Sequence, residues 1–296
     1  MHKSGFVNIV GRPNVGKSTL MNALVGERMS IITSKPQTTR HRIKGILNGD
    51  DFQLVFSDTP GFIEETHYKM QDSMNKFVSS TFEDADTMLF VIDKYDKYEQ
   101  DDPLITKLQQ ITVPKFLVIN KIDLSTQEET QELIDKWMTW VDFTGAVPIS
   151  ALNKLGTEGL LKLILENTKE GPAYYPKDQL TDRSERFFIS EIIRENLLEQ
   201  YKQEIPYSCQ VVIDSFKEGT TTGAEDITRI EAHIYVMRKS QKPIVIGKGG
   251  QAIKKLGIAA RHDIEKFLES KVHLELVVKI KENWRDDERT LKHFGY

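Results

Sequence analysis

The residues with the clearest chemical potential follow a short apolar stretch near the N-terminus, in the order Gly11-Arg12-Pro13-Asn14-Val15-Gly16-Lys17-Ser18-Thr19. Gly-x-x-x-x-Gly-Lys-Ser is the spacing of a loop that wraps phosphates. Glycines let backbone N–H groups turn toward an anion without Cβ clashes, Lys17 can reach the β- and γ-phosphates, and the Ser18 hydroxyl can ligate Mg²⁺ where the next helix begins. A second group, Asp58-Thr59-Pro60-Gly61, would place the Asp58 carboxylate in the Mg²⁺ shell and the Gly61 amide against the γ-phosphate. The same Asp-x-x-Gly spacing recurs at Asp142 to Gly145, but Asp58 ends an alternating apolar run whereas Asp142 follows an amphipathic helical pattern and fits a helix exit. Third, Asn120-Lys121-Ile122-Asp123 follows a strand-like run, and open α/β sheets bind ligands at strand ends. A carboxylate at Asp123 can accept from guanine N1–H and the 2-amino group, which adenine cannot offer, so the site discriminates against adenine. Ser150-Ala151, after the next apolar run, could present a backbone amide to guanine O6.

These residues require a scaffold of strands joined through helices, and the first half of the chain has that pattern. Strands are expected at Phe6 to Val10, Phe52 to Ser57, Thr87 to Ile92, Lys115 to Ile119 and Val147 to Ile149, with Arg42 to Leu47 paired to the second. Helical spacing covers Lys17 to Val25, Tyr68 to Ala85, Pro103 to Gln110, Gln127 to Trp140 and Glu158 to Asn167. The implied fold class is α/β with a mostly parallel sheet over residues 1–170. A turn-rich stretch with Pro172 and Pro176 suggests a linker at 171–183, and residues 184–296 have the order helix, strand, strand, helix, helix, strand of a small α+β domain.

In that second domain Ile246-Gly247-Lys248-Gly249-Gly250 places a Gly-x-x-Gly between two helices, the arrangement with which KH domains clamp a nucleic-acid backbone. Gly156 to Gly159 has the same spacing but carries Glu158 and opens a helix. From Arg238 to His262 there are seven cations, among them Lys242, Lys248, Lys254 and Lys255, and no Asp or Glu. That stretch suits phosphate contact, which supplies affinity independently of sequence. Ile244, Ile246, Ile253 and Ile258 are expected to be mostly core, with a base-binding groove as the alternative. His233 and His273 have no metal-ligand spacing, and structural roles are expected.

The 296 residues carry 40 Lys or Arg against 44 Asp or Glu, a formal charge of −4, which taken as an average argues against nucleic acid. The basic stretch reverses that inference locally. With one cysteine, Cys209, no intrachain disulfide can form, which fits a reducing compartment. Residues 1–10 lack the charge-then-apolar pattern of a signal peptide, and no apolar run reaches the ~20 residues of a spanning helix. A cytoplasmic location is expected.

Taken together, the loop at Gly11 to Thr19, the Asp58 and Asn120 motifs and Ser150-Ala151 resemble the GTPase branch of the phosphate-loop proteins over the first 170 residues. With Gln37-Thr38-Thr39-Arg40 before Asp58 and the KH-like (type II) element at the C-terminus, the whole chain resembles the Era family of GTPases. The resemblance implies GTP hydrolysis with Lys17, Thr39 and Gly61 as the catalytic set and Mg²⁺ held by Ser18, Asp58 and Thr39, chosen over Thr38. It also implies a departure: many GTPases carry a water-orienting glutamine where Phe62 stands here. Another group or a bound cation would then take over, with Asn14 as a candidate K⁺ ligand. The implied partners are GTP and GDP, a single-stranded segment of small-subunit ribosomal RNA near its 3′ end and the 30S subunit, whose maturation the protein would serve. Contact with the KH element would run through Lys242, Ile246, Gly247, Lys248, Gly249, Gly250, Lys254 and Lys255. A monomer with peripheral contact at the inner face of the cell membrane completes the implication. Two alternatives are a constitutive RNA-binding module with a structural nucleotide and a GTPase timer of an RNA-modifying enzyme.

Overall fold

The computed structural model describes residues 1–219 and 227–296, which cluster into two compact units. The first comprises Met1–Thr66 and Gln71–Asp182, and the second comprises His67–Met70 and Arg183–Tyr296.

In chain order the first unit is built from β1 (Lys3–Val10), α1 (Lys17–Val25), β2 (Ile43–Asn48), β3 (Phe52–Asp58), α2 (Lys69–Ser80, its first two residues assigned to the second unit), β4 (Thr87–Ile92), α3 (Pro103–Gln110), β5 (Lys115–Ile119), α4 (Gln127–Trp140), β6 (Gly145–Pro148) and α5 (Thr157–Asn167). The sheet order is β2-β3-β1-β4-β5-β6, parallel throughout except for β2, which runs antiparallel to β3 at the edge. Every residue of β4 and β5 is buried, as expected of parallel strands covered by helices on both faces. One core cluster stacks Phe90 on Tyr98, Trp137 and Phe143, with ring centroids 5.0–6.2 Å apart. Helix starts are fixed locally. The Asp102 side chain accepts from the Leu104 amide, and Thr126 with Glu129 forms a reciprocal cap on α4, each worth about 1 kcal/mol.

The stretch expected as a linker is laid along this unit. Thr181 bridges Gly45 of the edge strand, the Gln53 side chain accepts from the Tyr174 and Tyr175 amides, and the Tyr174 ring packs on Phe6 at 4.7 Å. Because Gln53 is fully buried, its amide requires those partners, and the turn-rich composition reflects a chain that follows a sheet edge.

The second unit contains α6 (Glu185–Gln200), a single turn α7 (Ile205–Ser208), β7 (Gln210–Lys217), β8 (Ile227–Val236), α8 (Gln241–Ile246), α9 (Gln251–Leu268), β9 (Lys271–Ile280) and α10 (Glu288–His293). Its sheet has the order β7-β8-β9, antiparallel then parallel, with a register shift at Asp214. Ile193 and Leu197 of α6, Leu256 and Ile264 of α9, and Ile230 and Ile234 of β8 form the core on one face of the sheet. Alternation places Asp214, Glu231, His233, Tyr235 and Lys279 on the other face. Cys209 is buried and free, as its small apolar character predicts. Among the described residues no helix is long and apolar enough to cross a membrane.

Candidate functional site

A cleft of about 480 Å³ opens at the C-terminal ends of β1, β3 and β5, and the sequence motifs converge on it. Its lining includes Pro13, Asn14, Gly16, Lys17, Ser18 and Thr19 from the phosphate loop, Thr39, Gly61, Asn120, Lys121 and Asp123, and Ser150. The loop conformation needs its glycines. Gly16 has φ +97, and a Cβ there would lie 2.2 Å from the Asn120 amide nitrogen; at Gly11, φ +152 brings the backbone against the Val91 carbonyl. Lys17 is buried and its ammonium donates to the carbonyls of Gly11 and Arg12 at 3.0 and 2.7 Å. Burial pulls its pKa down to about 8, against the opposing pull of Asp58 and Asp96. An arriving phosphate restores the charged form.

Asp58, Ser18 and Thr39 meet at one point. The Ser18 hydroxyl donates to Asp58 Oδ2 at 2.6 Å and lies 2.9 Å from Thr39 Oγ1, which is itself 3.4 Å from the same carboxylate oxygen. Asp58 is fully buried, its pKa is raised by desolvation, and its Oδ1 has no hydrogen-bond partner among the described residues. A buried orphan carboxylate oxygen beside two hydroxyls fits a hard divalent cation such as Mg²⁺, which prefers a small number of protein oxygens and completes its octahedron with phosphate and water. Thr38 is turned elsewhere: its hydroxyl donates to the Lys35 carbonyl and contacts Thr33 Oγ1, both at 2.6 Å.

The base end of the cleft is tied to the phosphate end by two side chains. Asn120 donates to the Val15 carbonyl at 2.8 Å and accepts from the Ala151 amide at 2.9 Å. Lys121, with a left-handed backbone at φ +62, donates to the Asn14 carbonyl at 2.7 Å and to the buried Asp93 at 2.6 Å. Asp123 is exposed at the mouth, where an incoming base would meet it.

Not every expected residue faces the cleft. Gly11, Arg12, Val15, Asp58 and Ala151 are absent from its lining. Val15 is core, Asp58 lies behind Ser18, and the Ala151 amide expected for guanine O6 is bonded to Asn120. Arg12 points away from the phosphates, stacking 4.2 Å over Tyr98 and pairing with Asp102 and Glu64. Conversely, Ile31, Ile32, Thr33, Ser34, Leu124 and Leu152 line the cleft without having been marked by any motif. The exposed Leu152 directly follows Ser150-Ala151, so only its adjacency could have flagged it. Phe62 packs against the aromatic core cluster and is also absent from the lining.

In the second unit Gly247, Gly249 and Gly250 have φ +75, +58 and +76, and a Cβ on Gly247 would sit 2.6 Å from that of Ala252. The loop therefore turns tightly between α8 and α9 with Lys248 exposed at its apex. Lys254 and Lys255 are exposed on the first turns of α9, and Lys242 is half-buried on α8. The expectation that the isoleucines are mostly core is corrected. Ile244 and Ile258 are 51% and 47% exposed, while Ile246 and Ile253 are partly buried against the core. Helical phase is the reason: Val245, Leu256, Ala260 and Ile264 take the buried stripe, leaving Ile244 and Ile258 on the open side. His233, expected to be structural, is buried between Asp214 and Glu231, whose oxygens lie 3.3 and 3.1 Å from its ring nitrogens, and Lys279 Nζ sits 3.2 Å from Nδ1. The three acidic and imidazole groups could hold a cation, but the ammonium already compensates them.

A parallel sheet with a glycine-cradled lysine, a buried Asp58–Ser18–Thr39 cluster and a carboxylate at the base end defines a phosphate-loop GTPase, here carrying a KH unit. A family model described as a 50S ribosome-binding GTPase matches residues 6–121, and one described as a KH domain matches residues 204–285. GTPase Era of Clostridium kluyveri is 44% identical over 302 residues that cover all of both chains. The chloroplastic GTPase ERA1 of Zea mays is 44% identical over all of this chain and 71% of its own. Among solved structures, Era in complex with MgGDPNP and nucleotides 1506–1542 of 16S ribosomal RNA superposes with TM-score 0.93 at 37% identity, covering 100% of this chain and 99% of that one. An Aquifex aeolicus Era variant bound to GDP·AlF4⁻ gives TM-score 0.93 at 38% identity, covering 99% of both chains. The chain belongs to the Era family of GTPases.

Proposed function

We propose that this GTPase is a Mg²⁺-dependent switch that binds a single-stranded segment of small-subunit ribosomal RNA near its 3′ end and acts in maturation of the 30S subunit. Residues 1–170 serve as the GTP-binding domain and 184–296 as the RNA-binding domain. The observation that carries the RNA half is the exposed Lys248 at a three-glycine turn, flanked by Lys254 and Lys255 and by two exposed isoleucines. Cations supply affinity for the RNA backbone, the glycines admit its close approach, and Ile244 and Ile258 offer apolar contact to splayed bases. The small-subunit assignment draws on the relative solved with a 16S fragment.

In the nucleotide cleft, Lys17 binds the β- and γ-phosphates, and the Gly61 amide and Thr39 close on the γ-phosphate. Bound Mg²⁺, held by Ser18, Thr39 and, through the free oxygen of Asp58, the second motif, supplies charge neutralisation on the phosphates. Asp123 selects guanine. Because the Phe62 ring packs in the core, water cannot be oriented from that position, and K⁺ at Asn14, exposed at the mouth of the cleft, supplies the missing electrostatics. The protein is cytoplasmic, monomeric and in peripheral contact with the inner face of the membrane.

Filter binding of the 1506–1542 fragment with a GTP analogue, with GDP and without nucleotide tests the switch. Affinity should differ between states, and identical affinities in all three would leave a constitutive RNA-binding module. Lys248→Asp should weaken RNA binding and leave GTP binding intact. Turnover should be faster in KCl than in NaCl, with the difference abolished in Asn14→Ala; equal rates in both salts would discard the cation.

A further inference from the structure

The KH match ends at residue 285, yet the chain continues into α10, and that continuation builds a second cleft on the open face of the KH sheet. It measures about 380 Å³ and is lined by Tyr235, Lys281, Asp287, Arg289, Thr290, His293 and Phe294. We infer that this cleft is a second nucleotide-binding site, holding one nucleotide of the RNA strand beyond the segment gripped by the Gly247–Gly250 loop. The inference rests on the RNA-binding function proposed above.

The chemistry is that of a nucleotide. Tyr235 and Phe294 face one another with ring centroids 5.4 Å apart, tilted by 42°, and stacking on such rings is how single-stranded bases are held. Lys281 and Arg289 are exposed at the rim and form no ion pair among the described residues, so both are available to a phosphate. Asp287 does not cancel them. Its carboxylate accepts from the Thr290 amide at 2.7 Å as the cap of α10, and those Thr290 bonds, helped by Lys281 and Arg289, hold its pKa below the usual range. The walls are rigid. The indole of the buried Trp284 donates to the Ser208 carbonyl at 3.0 Å and meets the Phe294 ring edge-on at 5.5 Å, the Tyr296 hydroxyl donates to Gln210, and Leu291 is buried beneath the helix. A volume of 380 Å³ falls within the range of small-ligand sites, about 300–1,000 Å³.

Placement supports the same occupant. Tyr235 lies next to the end of β8 and Lys281 directly follows β9, and the two strands are parallel, so both residues sit at the sheet end from which the chain enters α8. Six residues of α8, about 9 Å, then lead to Gly247. A KH loop clamps about four nucleotides. A strand leaving that loop reaches the cleft within a few more, and the two sites reinforce each other through effective concentration.

The test uses the full chain saturated with GDP, three probes and the double variant Lys281→Glu/Arg289→Glu. The probes are the 1506–1542 fragment of 16S RNA, the four-nucleotide piece of it that wild type binds most tightly, and free uridine 5′-monophosphate. The double variant should weaken the long fragment at least tenfold and lower its salt slope by about one to two, leaving the four-nucleotide piece within twofold. A 4-thiouridine-substituted fragment should cross-link to Tyr235 or Phe294. Unchanged affinity for the long fragment, or equal loss on long and short probes, would overturn the second site. Uridine monophosphate binding that disappears in the double variant would make the occupant a free nucleotide and overturn the RNA assignment. If wild type binds neither RNA probe, the proposed function itself fails. A loss in Lys248→Asp on both probes, by contrast, reports on the loop alone.

Discussion

Replacing Asn120 by alanine should damage nucleotide binding although Asn120 need touch no nucleotide. Its side chain is 3% exposed and spans two loops, donating to the Val15 carbonyl and accepting from the Ala151 amide. Removing it strands one buried acceptor and one buried donor, at about 1–3 kcal/mol each. Solvent relaxation recovers part of that, so the arrangement competent to bind should be disfavoured by about 2–4 kcal/mol. Apparent affinity falls with the competent population, so the dissociation constant for a fluorescent GDP analogue should rise about 30- to 1,000-fold. Asn120→Asp should do at least as badly, because it retains the acceptor for Ala151 but sets a carboxylate oxygen against the Val15 carbonyl. Gly16→Ala provides an independent lever, since its Cβ would fall 2.2 Å from the Asn120 nitrogen. Combined with Asn120→Ala that clash disappears, so the double variant should be less impaired than the sum of the singles by at least about 1 kcal/mol. Asn120→Ala binding GDP within threefold of wild type, with the two effects simply adding, would refute the bridging role.

Three further outcomes follow from the same geometry. Thr39→Ala should raise the Mg²⁺ concentration required for hydrolysis and slow turnover at least tenfold, whereas Thr38→Ala, whose hydroxyl bonds to Lys35 and Thr33, should stay within about threefold; a magnesium titration of both variants separates them. Lys17 has its pKa lowered to about 8 in the folded chain, so between pH 8 and 10.5 the unfolded chain binds more protons and stability of the free protein rises with pH across that window. Phosphate binding pulls the proton back. Calorimetry of GDP binding in buffers of different ionisation heat should show uptake of roughly 0.5–1 proton at pH 8.5 and little near pH 7.2, and no uptake at pH 8.5 would contradict the burial. Finally, Asp123→Asn should lower GTP affinity by at least two orders of magnitude and favour xanthosine triphosphate, because an amide can donate to the xanthine 2-oxo group where the carboxylate accepts from guanine; competition binding with the two nucleotides reads this out.

Sequence spacing carried the chemistry because each motif is local. A glycine cradle, a lysine and a hydroxyl must be consecutive to wrap one phosphate, and a hydrophobic period of two or of 3.6 betrays strands and helices within a dozen residues. The strands and helices that position the cleft were therefore legible, as was the Gly247–Gly250 turn between helices. The short turns at Ile205–Ser208 and Glu288–His293 were not, since four or six residues give no period to read. Ile244 and Ile258 misled for a related reason: apolar type indicates a buried side, but the phase of the helix chooses which side that is.

What the sequence determined by itself is thus the guanine-nucleotide loop set, the two-part organisation and a basic stretch hidden within a net charge of −4. Only the tertiary structure decided that Thr39 and not Thr38 joins Ser18 and Asp58, that Arg12 leaves the phosphates for Tyr98 and Asp102, and that Asn120 ties Val15 to Ala151. It alone brings Tyr235 and Phe294, 59 positions apart in the chain, into one cleft. The physical reason is common to all four. Which hydroxyl, guanidinium, amide or ring meets which partner depends on long-range closure of the sheet, and the spacing of residues along a chain holds no information about a contact that closure creates.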